Sequence, residues 1–251
     1  MGLNKKYAKE IHDEYGYLAA WLPTANIQVG DVGTIKDGIF EKKGNLKDVG
    51  IKFSSTTDPQ TGEYEYASTN AVSIEFKAGG NAPVAGGAGA AEASIGVSFT
   101  RADAVLFQAS DCRTQTISEL PRITEEILAK YRRTKWPEDW VVVTDVVSSA
   151  ATTVLISSGS NAHVDLAVKG NLGAGKASLA NADGKLEITK SSAIGTKIVG
   201  AKGSTPLFKA SGIETYFLHD PALVNKTTVE DTKLISLDYI HLVGPKGERG
   251  G

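Results

Sequence analysis

Two runs of strict alternation set what this chain can become. In the first, Tyr64, Tyr66, Val72, Ile74 and Phe76 share one parity, with Glu65, Ser73, Glu75 and Lys77 between them. In the second, Ile95, Val97, Phe99, Val105, Phe107 and Ala109 share a parity. A period of two places alternate residues on opposite sides of an extended chain, so each run predicts a strand with one apolar and one polar face. Ser68 and Asn70 interrupt the first apolar face, and Arg101 and Asp103 the second. Between the runs, residues 78–93 are mostly Gly and Ala with Pro83, too little side chain to pack. The expectation is a long amphipathic hairpin with a mobile tip.

The remaining pattern adds more strands and two helices. Tyr7, Ile11 and Tyr15 fall at i, i+4 and i+8 and predict a helix over residues 5–17, weakened at Gly16 and stopped by Pro23. Pro121 suits the first turn of a second helix, with Ile123, Ile127, Leu128 and Tyr131 as its apolar stripe and a Glu126–Lys130 pair on its surface. Residues 140–147, WVVVTDVV, read as a strand buried on both faces. Alternation resumes in residues 152–156, where Val154 and Ile156 share a side, and in residues 163–168, where Val164, Leu166 and Val168 do. Residues 157–161 supply turn chemistry between them. Residues 185–190, 205–209 and 214–218 complete the strand set. The fold class expected is α+β: a twisted, mostly antiparallel sheet with helices packed on one side and long amphipathic hairpins.

Charge and motifs exclude several functions. With 27 Lys+Arg against 29 Asp+Glu, bulk charge gives nucleic acid nothing to grip. One cysteine, Cys112, rules out an internal disulfide framework and a Cys-based zinc site, and the four histidines lack HxxxH or HExxH spacing. No run reaches the ~18 apolar residues of a membrane helix. Lys5, Lys6, Lys9, Glu10 and Asp13 occupy the place of a signal-peptide core, so the expectation is a cytoplasmic protein as made. Gly170-Asn171-Leu172-Gly173-Ala174-Gly175-Lys176 nearly spells a phosphate-binding loop, but Ala177 stands where Ser or Thr must hold magnesium, and no helix follows. A hairpin loop fits it better. Cys112 has no histidine placed beside it by sequence, and His163 and Asp165 on one strand face make neither a metal site nor a triad. No catalytic, cofactor-binding or metal-binding residue is therefore assigned. Lys5, Lys6 and Lys9 crowd the end of the first helix that its dipole makes unfavourable for cations. They read either as a solvated face or as contacts to anionic lipid.

In the middle of the chain, Ile127-Leu128-Ala129-Lys130-Tyr131-Arg132-Arg133 is followed by Asp139-Trp140-Val141-Val142-Val143-Thr144-Asp145-Val146-Val147. Together they resemble a helix and a strand ending in VVTE in the pore-forming domain of gasdermins, with Asp145 where that family has Glu. Gly203-Ser204-Thr205-Pro206-Leu207-Phe208-Lys209 is similar to the family's GS-x-x-A-F run, with Leu207 where Ala is expected. Gly173-Ala174-Gly175 parallels a Gly-rich stretch between two of its strands. The resemblance spans about residues 95–217. Bacterial members often carry an N-terminal cysteine for lipidation, and this chain has none before Cys112.

The resemblance implies a non-enzymatic pore-forming effector of cell death or defence, held inactive until a protease removes a short C-terminal tail. The implied division is a sheet-plus-helix body over residues 1–223 and an inhibitory tail over residues 224–251, with Leu234, Ile235, Leu237 and Tyr239 as its covering residues. The implied partners are further copies of the chain, a lipid membrane and an activating protease, with no nucleic acid and no cofactor. The protein would be cytoplasmic when inactive and at the inner membrane when activated. The residues that would face lipid are Val72, Ile74, Phe76, Ile95, Val97, Phe99, Val154, Ile156, Val164, Leu166 and Val168, with Lys5, Lys6 and Lys9 meeting anionic headgroups. By pattern alone, the same alternation describes a membrane barrel and any antiparallel sheet packed on a helix. A soluble β-rich binding or assembly module is thus the competing reading, and a nucleotide binder using Gly170 to Lys176 a third.

Overall fold

The computed structural model describes residues 3–22, 24–77, 94–168, 186–214 and 222–225. The linker at 78–93, the glycine loop at 170–176, the end of the strand expected at 214–218 and the tail residues Leu234, Ile235, Leu237 and Tyr239 lie outside them. Strands dominate the described residues, and every pairing with a described register is antiparallel. Two helices accompany them: α1 (Leu3–Tyr15) and α2 (Leu120–Arg132). By compactness the described chain divides into two units.

The first unit comprises the described parts of Met1–Gln60, Arg113–Ser148 and Thr205–Gly251. The expected face of α1 is the buried one, with Tyr7 and Ile11 fully enclosed. The helix ends at Gly16, whose φ of 67° a residue with a Cβ adopts only at a cost. Strands β1 (Leu18–Ala19), β2 (Asp31–Lys36) and β3 (Ile39–Asn45) follow, and β2 pairs with β3 through a tight Asp37-Gly38 turn in which both residues have positive φ. β4 (Ser55–Thr57) pairs with the end of β8 (Val105–Ile117). The WVVVTDVV run becomes the start of β9 (Val141–Ser157), where Val141, Val142, Val143 and Val146 join Ile123 and Ile127 of α2 in one core. That two-sided burial is why the run shows no alternation. On the surface of α2, Glu126 bonds Arg122 one turn earlier instead of Lys130. Arg122 also reaches Glu119 at 2.6 Å and the Lys52 carbonyl at 2.7 Å, so the guanidinium fork ties the helix to a loop.

The second unit comprises the described parts of Thr61–Cys112 and Ser149–Ser204. It holds β5 (Gly62–Ala67), β6 (Val72–Lys77), β7 (Ser94–Phe99), β10 (Ala162–Val168) and β11 (Leu186–Ser192). Segments of β8, β9 and β12 (Ile194–Glu214) also lie here, and those three strands continue into the first unit. Four of the strands form a sheet in the order β11-β10-β7-β6.

The two long alternating runs are each broken. The run at 64–77 is β5 and β6, separated by a turn in which Asn70 has φ 55°. The run at 95–109 is β7 and the start of β8, separated by a turn in which Asp103 has φ 57°. Left-handed backbone is tolerated by Asn and Asp because their short polar side chains bond locally, and it reverses a strand. The interruptions visible in the sequence are thus chain reversals, and the halves pair differently: β6 with β7, β5 with β8. Residues 152–156 depart from expectation in the opposite sense. They continue β9, and Thr152, Thr153, Val154, Leu155 and Ile156 are all buried, so no polar face is exposed there.

Candidate functional site

The feature that sorts chemistry most sharply is the four-stranded sheet. Its registers align Val72 with Phe99, Ile74 with Val97 and Phe76 with Ile95, and across the other side Val164 with Val97 and Leu166 with Ile95. Leu166 in turn faces Ile188 on β11. The same registers place Ser73, Ser98 and His163 in one row and Glu75, Gly96 and Asp165 in the next, on the opposite face. One face is therefore apolar and the other polar across β6, β7 and β10, whose pairings are in phase, while on β11 a register shift between Asp165 and Leu166 keeps only Leu186 and Ile188 on the apolar side and brings Ser191 opposite Val164.

The apolar face is covered. Ile95, Val97, Phe99, Val164 and Leu166 are at most 1% exposed and pack with Ala104, Leu106 and Leu155. Val72, Ile74, Leu186 and Ile188 pack at its margin. Phe76 is 48% exposed and sits on β6, the edge strand. Of the residues expected to face lipid, Val72, Ile74, Ile95, Val97, Phe99, Val164 and Leu166 share this face. Val154 and Ile156 do not belong to this sheet: they are buried on β9, and the β9 residue in this cluster is Leu155, of the other parity. Val168 aligns with Leu186 in the backbone register.

The polar face holds a three-residue hydrogen-bonded line that sequence spacing did not assemble. Asp165 Oδ1 is 2.7 Å from His163 Nε2, and Ser98 Oγ is 3.0 Å from His163 Nδ1. The pair on β10 was legible from parity. Ser98 comes from β7, 65 residues away, and only the pairing of β7 with β10 brings it there.

The expected lipid-contacting lysines lie on α1, and two of them, Lys5 and Lys9, already have neighbours of opposite charge. Lys5 Nζ is 2.7 Å from Asp37, and Lys9 Nζ is 2.5 Å from Asp13. Lys6 is half-buried. Cys112 is buried, and enclosure, followed by the charges of Asp111 and Glu63, pushes its thiol up to about 12. A thiol so placed is protonated at neutral pH and a poor nucleophile. Among the described residues no three His, Cys, Asp or Glu side chains gather where they could hold a metal ion. Among the same residues no helix is long and apolar enough to cross a membrane.

The motif residues in the middle of the chain are structural. Trp140 stacks edge-on against Trp136 with ring centroids 5.6 Å apart. Asp145 accepts hydroxyl bonds from Thr116 at 2.9 Å and Thr144 at 2.7 Å. Thr205 Oγ1 donates to the Ala25 carbonyl at 2.6 Å and accepts from the Ile27 N–H at 2.9 Å, and Leu207 and Phe208 are buried.

No family model matches the chain, and no curated protein does. Among solved structures it is similar to a bacterial gasdermin from Bradyrhizobium tropiciagri, at 16% identity over 88% of this chain and 90% of that one, with a TM-score of 0.35. It is also similar to the gasdermin A3 membrane pore, at 9% identity over 89% of this chain and 95% of that one, with a TM-score of 0.37.

Proposed function

We propose that the protein is a non-enzymatic pore-forming effector of cell death or defence, which assembles with further copies of itself into a membrane β-barrel. The observation that carries this reading is the in-phase pairing of β6, β7 and β10, apolar on one face and polar on the other, extended on β11 by Leu186 and Ile188. A strand that meets lipid on one side and water on the other needs this two-faced pattern, and a barrel wall is the one sheet form without open edges. The motif residues around Asp145 and Leu207 add the resemblance to gasdermins.

The energetics ask for a trigger. Each of Ile95, Val97, Phe99, Val164 and Leu166 is stabilised by ~1.5–3 kcal/mol through burial, so the face leaves its core only when another apolar phase receives it. Length asks for a rearrangement. β6 and β7 have six residues each, and a tilted spanning strand needs ~9–11. Straightening the turns at 68–71 and 100–104 restores the runs at 64–77 and 95–109, about 45–50 Å at ~3.3 Å per residue. That is enough to cross, and both helices would stay with the body, packed on one side of the remaining sheet. The tail from residue 224, with Leu234, Ile235, Leu237 and Tyr239, is the proposed restraint, and a protease acting between Asn225 and Lys233 the release. The inactive form is then cytoplasmic and the active form sits in the inner membrane. Lys5 and Lys9 exchange Asp37 and Asp13 for anionic headgroups there, and Lys6 joins them, each contributing ~1 kcal/mol near the surface.

The test is dye release from anionic vesicles by protein cut between Asn225 and Lys233, with the intact chain as control. The cut chain releases dye and the intact chain does not. Phe76→Asp is the informative variant, because a half-exposed side chain tolerates charge in the soluble fold while a lipid-facing one does not. It abolishes release without lowering the urea midpoint of the intact protein. Ile74→Asp and Val97→Asp also abolish it, Val97→Asp at the expense of the buried core. Replacing Lys5, Lys6 and Lys9 by Gln weakens vesicle binding at low salt. A cut protein that stays monomeric with vesicles and releases nothing sinks the pore reading. The exposed Phe76 on an edge strand would then favour a soluble binding or assembly module that pairs through β6.

A further inference from the structure

On the polar face of the four-stranded sheet a serine is bonded to a histidine that is bonded in turn to a carboxylate. Asp165 Oδ1 lies 2.7 Å from His163 Nε2, so the arrangement suits the tautomer in which Nε2–H donates to the carboxylate. In that tautomer the Nδ1 lone pair is free to accept the Ser98 hydroxyl, 3.0 Å away. The line then runs carboxylate, oriented imidazole, hydroxyl. The imidazole and the carboxylate both lean over Gly96, where a Cβ would touch His163 Cε1 at 3.6 Å and Asp165 Oδ1 at 3.7 Å. Reagents can approach, since the His163 and Asp165 side chains keep 36% and 31% of their exposure.

We infer that Ser98 is a covalent modification site: it takes an acyl or phosphonyl group from an activated ester, with His163 as its base and Asp165 as the residue that holds the ring. Ser98 Oγ attacks the carbonyl carbon or the phosphonyl phosphorus, a C–O or P–O bond to serine forms, and the bond to the phenolate or fluoride leaving group breaks. The hydroxyl proton passes to His163 Nδ1 and from there to solvent. Nothing is oxidised or reduced.

The same geometry limits the reaction to a single round. Turnover needs donors aimed at the oxyanion of the tetrahedral intermediate, commonly backbone N–H groups. β7 is paired on both sides over residues 94–99, with β10 and with β6, so its amide groups point along the sheet into neighbouring strands and not into the space above Ser98. An activated donor brings its own good leaving group and transfers without such donors, whereas the resulting alkyl ester of Ser98 is far less activated and is not released without them.

The test uses the intact chain with two probes, a fluorophosphonate and p-nitrophenyl acetate. The fluorophosphonate labels the protein, fluoride leaves, and peptide mapping places the adduct on residue 98. Ser98→Ala removes the label. His163→Gln and Asp165→Asn, which keep side-chain size, slow labelling by about tenfold to a thousandfold, the scale of a positioned general base. With p-nitrophenyl acetate the protein releases a single equivalent of phenolate and stops. Urea midpoints of the variants confirm the fold, and a Ser98→Val variant, which also lacks the hydroxyl, stands in if Ser98→Ala does not fold. The inference is overturned by an adduct that maps elsewhere, by labelling in His163→Gln as fast as in the parent, or by continued phenolate release.

Discussion

Ser68 and Val105 hold each other through two bonds: the Ser68 N–H donates to the Val105 carbonyl at 2.9 Å, and the Val105 N–H donates to Ser68 Oγ at 2.9 Å. The serine hydroxyl here takes the part that a backbone carbonyl takes in a ladder. It lies where the two long alternating runs turn, so it fastens both breaks together. Ser157 does similar work beside it, accepting the Ala104 N–H at 2.9 Å and donating to the Arg101 carbonyl at 2.7 Å.

Ser68→Ala therefore leaves the buried Val105 N–H without its acceptor, at about 1–3 kcal/mol. Urea denaturation reads the loss directly. On the pore reading the same variant, once cut, releases dye faster than the parent, because the turn it loosens must straighten.

Gly33 lies at the irregularity between β2 and β3, where a Cβ would come within 2.1 Å of the Glu41 carbonyl oxygen. Backbone cannot swing aside as a flexible side chain can. Gly33→Ala should cost about 1–3 kcal/mol, the range for overpacking, and lower the urea midpoint without changing the m-value.

Cys112 should resist alkylation in the folded protein. With its thiol pushed up to about 12 from an ordinary 9.0, the thiolate fraction at pH 8 falls on the order of a hundredfold or more. Iodoacetamide uptake followed with and without urea checks this: unfolding accelerates it, and equal rates in both would mean an exposed thiol.

His12, buried near the end of α1, has its pKa held below the ordinary 6.5, chiefly by desolvation, with the Lys9 charge assisting and the Tyr17 backbone bond and Asp13 opposing. Below 6.5 the unfolded chain then binds a proton that the folded chain refuses. Stability is full above that pH and declines as pH falls from about 6.5 toward the lower folded value. Urea midpoints at pH 7.5 and 5.5 should differ in that sense, and His12→Gln should flatten the difference.

Parity was legible in the sequence because it is a local property: whether residue 74 shares a side with residue 72 depends only on the chain being extended. Hence Val72, Ile74, Ile95, Val97, Val164 and Leu166 were assembled correctly onto apolar faces, and Pro121, Ile123 and Ile127 placed a helix correctly. Residues 140–147 declared their two-sided burial by being apolar at both parities, with only Thr144 and Asp145 polar. What the sequence left open was where an extended run reverses and which run lies beside it. Ser68, Asn70, Arg101 and Asp103 looked like polar blemishes on long strands, yet Asn70 and Asp103 adopt left-handed backbone and send the halves to different partners. That choice rests on bonds such as Ser68 to Val105, between residues 37 apart. The line from Ser98 through His163 to Asp165 depends likewise on β7 meeting β10 in one register, because a shift by a single residue would turn Ser98 to the other face. Side-chain pattern determines which surface each strand offers, and only long-range pairing, settled by the packing of the whole, decides which chemistry those surfaces bring together.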